Sequence, residues 1–377
     1  MKIALVHDWL TNYGGAEKVI ESFHSVFPAA PVYTLFYDQN RLPDSFKVMD
    51  IRTSFLQKVP FGHKKHQWFL QFMPLAVEQF NLSEYDLVLS SSSCCAKGVI
   101  TGTGTCHICY CNTPMRYAWD FYHEYTDKKG MLMRSYIALQ MNRIRQWDRV
   151  SADRVDYFLA NSCHIAGRIK KHYRRDSNVI YPPVNTNFYH LNGDEKKFFL
   201  CGGRLVGYKR IDLAVEAFSR LKLPLWVVGD GEEYKNLKKM AGACVKFLGK
   251  VEDTELRSLY QQCRAFIFSG LEDFGIMPLE AQSCGRPVIA FGGGGALETV
   301  IEGQTGLFFE EQTVDSLMNA VKNFIKLEAG FSPKVIVAHA NHYSEKRFVL
   351  EIKEFVTQKY QEYFMKNGFA GRTSKPS

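Results

Sequence analysis

Between residues 198 and 291 the chain repeats one rhythm: a short run that is apolar at nearly every position, then a stretch of helical period. The runs are FFLCGG (198–203), LPLWVVG (223–229), VKFLG (245–249), AFIFS (265–269) and RPVIAF (286–291). A strand wetted on one side shows alternating polarity. Continuous apolar runs fit strands buried on both faces, in a parallel sheet covered by helices. Ligands of such sheets bind at the carboxyl ends of the strands, so the loops after these runs are the places to look for chemistry.

The first half keeps the same rhythm with longer insertions. Strands are expected at Lys2–Val6, 31–37, 85–92, in HICYC and at 156–162, and helices at Ala16–Phe27, about Gly130–Val150 and HIAGRIKKHY. Pro182 and Pro183 stop regular structure, and the polar segment 185–197 reads as a linker. Two doubly wound α/β domains follow, 1–184 and 198–344, with a helix at about 345–364 packing back on the first domain. The tail GFAGRTSKPS reads as disordered.

Composition adds bounds. At 377 residues the chain suits two domains. Residues 1–197 hold 24 Lys and Arg against 18 Asp and Glu, a surplus of 6 within the net charge of +8. That balance suits an anionic partner or a plain basic surface. No nucleic-acid-binding module is recognised. MKIALVHDWL lacks the apolar core of a signal peptide, and no run is long enough to span a membrane. Ten cysteines without a disulfide-like framework fit a cytosol. CHICYC (106–111) has metal-ligand residues but no second pair nearby, and a buried strand explains it better.

Four strand-end loops carry candidates. In HDWLTNYGGAEK, Gly14 and Gly15 precede a helix, where a tight turn and an approach for an oxygen-rich group both fit. In GGRLVGYKR, Arg204 and Lys209 flank one strand mouth and together suit a diphosphate. In LEDFGIMPLE, Pro278 suits a first helical turn and places Glu280 in it. There Glu280 either favours the positive helix end or accepts from two vicinal hydroxyls, as in a ribose. Glu272 precedes the helix, and Gly275 permits close backbone approach to a ligand. Gly292–Gly295 read as a phosphate cradle or a flexible wall.

Together GRLVGYKRIDLAVEAF, VVGDGEE, VKFLGKV and SGLEDFGIMPLEAQSCGRPVIAFGGGGALETVIEGQTGLFF resemble the second domain of retaining GT-B glycosyltransferases of family 4, over about residues 198–310. HDWLTNYGGAEKVIE, SSSCCAKGVI, YCNTPMRYAWDFY and VIYPPVN resemble the mannosyltransferase branch that builds bacterial O-antigen and related surface polysaccharides from GDP-mannose. The resemblance implies a GT-B fold, two Rossmann-like domains facing a deep cleft. It implies that Glu280 holds the ribose and Glu272 the donor sugar, with Phe274, Gly275 and Ile276 adding backbone contacts. It assigns the diphosphate to Arg204 and Lys209, with Gly14 and Gly15 approaching from the other domain, and the base to Gly249, Lys250 and Val251. Asn112 stands where this branch usually has histidine, and Asn185 where aspartate is common. An asparagine can hydrogen-bond there but cannot carry a charge.

No Asp-x-Asp metal loop is present, so no metal is expected and the leaving diphosphate must be stabilised by Arg204, Lys209 and helix N-termini. The resemblance implies front-face transfer, with Glu272 positioning substrate and not acting as a nucleophile. Asp8, Trp9, Asn112, Arg116, Tyr117 and Trp119 are candidates for the acceptor side, with simple packing the bland reading of the aromatics. The expected partners are a nucleotide sugar and a lipid-linked glycan, in the cytoplasm or at the inner membrane face. FGHKKHQWFLQF (61–72) and RIKKHYRR (168–175) are candidate contacts with anionic lipid, or solvated basic surface. The rivals are a UDP-sugar transferase, a non-hydrolysing sugar-nucleotide epimerase on the same fold and a non-catalytic binding protein.

Overall fold

The computed structural model describes residues 1–60, 66–120, 122–126, 130–193 and 197–367. The tail 368–377, part of the basic segment 61–72 and part of the linker therefore lie outside the described residues. The chain forms two compact units, one of Met1–Pro182 with Phe348–Ser377 and one of Pro183–Arg347.

The first unit holds a seven-stranded sheet: β1 (Ile3–His7), β2 (Val32–Thr34), β3 (Ile51–Thr53), β4 (Leu87–Ser92), β5 (Cys106–Cys111), β6 (Tyr157–Ala160) and β7 (Ser177–Val179). The order is β3-β2-β1-β4-β5-β6-β7, and every pairing is parallel. β1, β4 and β5 are buried along their whole length, which is why they carry continuous apolar or small residues. β3, with Arg52 and Thr53 exposed, is an edge strand of mixed polarity that no apolar run announced. The helix Glu345–Lys366 contributes Phe348, Ile352, Val356 and Phe364 to this unit's core. Phe348 stacks on Phe23 at 5.9 Å between ring centres.

The second unit holds β8 (Phe198–Gly202), β9 (Leu225–Val228), β10 (Val245–Gly249), β11 (Cys263–Phe268), β12 (Val288–Phe291) and β13 (Gly306–Phe309). They form a six-stranded parallel sheet in the order β10-β9-β8-β11-β12-β13. Two cores cover its faces, one around Phe199, Phe218 and Phe324, the other around Phe198, Tyr260 and Phe266. Strand order reverses between β1 and β4 in the first sheet and between β8 and β11 in the second. Loops leaving such neighbours turn to opposite faces and leave a crevice between them.

Candidate active site

In the second unit the crevice lies between the loops after β8 and β11. Gly203 and Arg204 leave β8, and Lys209 ends a short turn (Gly207–Lys209) before the helix Ile211–Leu221. Ser269 ties the two loops together, its hydroxyl donating to the carbonyls of Lys209 (3.2 Å) and Arg210 (2.7 Å). A β-carbon at Gly270 would stand 2.8 Å from the Lys209 Cα, so the backbones touch. This packing sets Lys209 Nζ 2.7 Å from Glu272 Oε1, with the side chains 14% and 17% exposed. A pair so little wetted is screened weakly and keeps donor and acceptor in fixed places. Arg204 is exposed and donates to the Tyr208 hydroxyl at 3.3 Å.

Gly275 has φ +89 and caps the helix Ile276–Ser283. A left-handed residue there starts the helix at Ile276, two positions before Pro278. Glu280 is therefore its fifth residue and lies beyond the first turn, which corrects the expected position and removes the helix-dipole reading. Glu280 is 3% exposed, and the Tyr260 hydroxyl donates to it at 3.2 Å. Burial, and then the Glu280 charge, push the Tyr260 hydroxyl well up, so it stays a donor. Phe274 is buried against Tyr343, Ile276 and Val251 are half-buried, and Lys250 is exposed. Gly249 accepts from the Gly229 amide at 2.7 Å.

The glycine run has a role the sequence did not suggest. The Gly295 amide donates to the Glu272 carbonyl at 2.9 Å. A β-carbon at Gly294 (φ +60) would lie 2.3 Å from that same carbonyl oxygen, and one at Gly295 2.3 Å from the Phe274 Cα. These glycines let the loop after β12 lie directly on the loop that carries Glu272.

In the first unit the corresponding crevice lies between β1 and β4. Asp8 is 2% exposed, and its carboxylate accepts from the amides of Ser93, Cys94, Cys95 and Ala96 at 2.5–2.9 Å. Burial raises its pKa, while His7 and the amides of Ser93, Ala96 and Cys95 pull it back. Asp8 thus ties β1 to the turn after β4. Gly14 caps the helix Gly15–Val26, and Glu17 accepts from its amide at 2.9 Å while facing His7 Nε2 at 3.7 Å. Trp9, Tyr117 and Trp119 pack on the first unit's second core. The Tyr117 hydroxyl meets Cys94 Sγ at 2.7 Å, and the Trp119 indole donates to Asp148 at 2.7 Å. The Asn112 side-chain amide donates to Ser91 Oγ at 2.9 Å, and the Asn112 backbone carbonyl accepts from the Asn161 side chain at 2.8 Å; Arg116 is half-buried.

Two groups of charges in this unit have partners that the sequence does not show. In the segment 168–175, Lys170, Lys171 and Arg174 are exposed while the other cations are drawn into local contacts. Arg168 binds Asp120 and Thr113, Lys170 binds Asp176, Tyr173 is buried, and Arg175 donates to two carbonyls. Lys97 and Asp148, missed in the sequence, form a fully buried ion pair joined by Ser151 and Tyr173. A lone aspartate in an otherwise basic helical stretch was the available signal.

Among the described residues, no three His, Cys, Asp or Glu side chains are grouped to hold a metal ion, and no helix is long and apolar enough to cross a membrane. Cys106, His107, Cys109 and Cys111 are all buried along β5.

Two Rossmann-like α/β units with parallel sheets make this a GT-B fold. Residues 186–346 match the family "Glycosyl transferases group 1". The chain is 28% identical over 260 residues to an alpha-1,3/1,6-mannosyltransferase of Dictyostelium discoideum, covering 54% of this chain and 61% of that one. It is 31% identical over 149 residues to a GDP-mannose-dependent alpha-(1-6)-phosphatidylinositol monomannoside mannosyltransferase of Mycolicibacterium smegmatis, covering 35% and 39%. The chain spans between half and about two thirds of the length of the first curated relatives it matches. Its fold is shared with Anabaena HepE, solved with UDP and glucose, at a TM-score of 0.70 and 19% identity over 95% of this chain and 99% of that one.

Proposed function

We propose that the protein is a retaining, metal-independent mannosyltransferase that moves mannose from GDP-mannose onto a growing lipid-linked glycan in bacterial surface polysaccharide assembly. The observation that carries this reading is the Lys209–Glu272 pair at 2.7 Å, at the strand-order reversal within the stretch that matches the group 1 glycosyltransferase family. The mannosyltransferase names of the relatives support the sugar, and one of them supports GDP-mannose.

In this reading Lys209 and Arg204 meet the diphosphate, and the first amides of the helix Ile276–Ser283 add partial positive charge as the leaving group departs. Glu272 accepts from hydroxyls of the donor sugar, with Lys209 holding its carboxylate in register. Glu280, braced by Tyr260, takes the ribose hydroxyls, and Gly249–Val251 line the base. The acceptor oxygen bonds to the anomeric carbon on the face from which the phosphate leaves, and the departing phosphate oxygen takes the acceptor's proton. Neither step needs a protein nucleophile. The acceptor meets the first unit around Asn112 and Arg116, at the cytoplasmic face of the membrane.

A second reading, transfer from a UDP-sugar, is favoured by the fold shared with a UDP-bound and glucose-bound structure. A screen with radiolabelled GDP-mannose and UDP-hexoses, with and without a lipid extract, separates the two. We expect label from GDP-mannose in a lipid-extractable product. Label from UDP-sugars alone would select the second reading. An epimerised nucleotide formed without acceptor would sink both.

A further inference from the structure

The first unit carries an apolar surface that its own core does not explain. In the helix Met131–Ser151, Ile144 and Asp148 are buried and Met141 packs on the core, so that stripe faces inward. On the opposite side Leu132, Tyr136, Leu139 and Arg143 follow one another at helical spacing, all exposed, and Met131 adds to them at the helix start. Leu132 is 85% exposed and Met131 81%. The segment His66–Phe72 lies beside this stripe, since the Tyr136 hydroxyl meets Gln71 Oε1 at 3.3 Å. It contributes Trp68, 71% exposed, and Phe72. Exposed large apolar side chains gathered this way mark an interaction site. The sequence that carries these side chains has one sign of charge: residues 51–77 and 128–147 together hold nine Lys and Arg and no Asp or Glu, and among the described ones Arg134 and Arg143 are exposed on the same helix. An apolar stripe with a tryptophan and a tyrosine, set in purely cationic sequence, matches the interface of an anionic bilayer.

We infer that this face of the first unit docks on an anionic lipid surface, with Leu132, Leu139 and Trp68 entering the headgroup boundary and the neighbouring arginines meeting lipid phosphates. The inference extends the lipid-linked acceptor reading above, yet it stands on side chains remote in sequence from the donor loops. The test is co-sedimentation of the full chain with vesicles of phosphatidylglycerol and phosphatidylethanolamine, against vesicles of phosphatidylcholine alone. Leu132→Ser with Leu139→Ser removes the apolar part without touching the core, and unchanged circular dichroism and an unchanged thermal shift with GDP-mannose check its fold. Wild type should partition at least about tenfold better to the anionic vesicles, and the double variant should lose about tenfold of that. Added salt should weaken both. Equal partition of variant and wild type would overturn the inference. So would a wild type that ignores vesicles but dimerises by light scattering in a way the variant abolishes, which would give the face to a second copy. Vesicle binding without any GDP-mannose shift would leave this surface standing and remove the donor reading instead.

Discussion

At the scale of single residues, the Lys209–Glu272 contact sets the expectations. Each side chain is mostly withdrawn from water, so removing one leaves the other short of a partner. Glu272→Gln keeps the size and loses the charge that the proposed function assigns to the sugar; transfer should fall by about 10²–10³, the range for losing one preorganised polar contact to a transition state. Lys209→Met should cost a similar factor, and the double variant should be little worse than either single one, because the two side chains act as one unit. Steady-state rates on the labelled donor measure this, and additive losses would break the coupling. A second residue reports on pH. Burial pushes the His107 imidazole down to about 3, while its Nε2 lies 2.9 Å from Ser90 Oγ. The unfolded chain takes its proton near 6.5 and the folded chain does not until about 3. The stability from His107 is thus fully present above about 6.5 and is lost as pH falls toward 3, at up to about 1.4 kcal/mol per pH unit. His107→Phe should flatten that acid slope in thermal melts between those limits; an unchanged slope would show that other groups control it.

At the scale of elements, the loops after β8, β11 and β12 behave as one packed body. The Gly294 β-carbon position collides with the Glu272 carbonyl in a left-handed conformation, so Gly294→Ala should shift the Glu272 loop. The expected result is a raised KM for donor and a loss of about 1–3 kcal/mol in stability. A melt and KM identical to wild type would contradict it. The same loops show what was legible in the sequence. The buried strands were, because β8, β11 and β12 are covered on both faces and need continuous apolar residues. β3 and β13 were not: the first is a three-residue polar edge, and the second follows directly on a Gly-containing turn. The positions of Arg204, Lys209 and Glu272 at strand mouths could be read from the apolar runs that they follow. Their partners could not. That Lys209 meets Glu272 while Arg204 turns to Tyr208, or that Glu280 sits behind Tyr260, depends on packing between segments distant in the chain. The glycine run was ambiguous for a related reason: glycine permits approach by a phosphate and by another backbone equally well.

At the scale of the whole molecule, two units repeat one plan. Each is a parallel sheet that reverses strand order, and in each the loops at the reversal are tied by polar contacts: Asp8 to four amides in the first, Ser269 to two carbonyls in the second. The helix Glu345–Lys366 returns the chain to the first unit, whose core takes four of its side chains. The proposed function requires the second unit to bind a nucleotide sugar through Lys209 and its neighbours. Thermal-shift titration with GDP, GDP-mannose, UDP and UDP-glucose, on wild type and Lys209→Met, tests it most directly. A ligand at about a hundred times its Kd adds about 2.7 kcal/mol to the native state. Wild type should rise by several degrees with GDP and GDP-mannose, and the variant should respond at least tenfold more weakly in ligand concentration. Stabilisation by UDP and not GDP would contradict the donor assignment, and an equal response in wild type and variant would contradict the site itself.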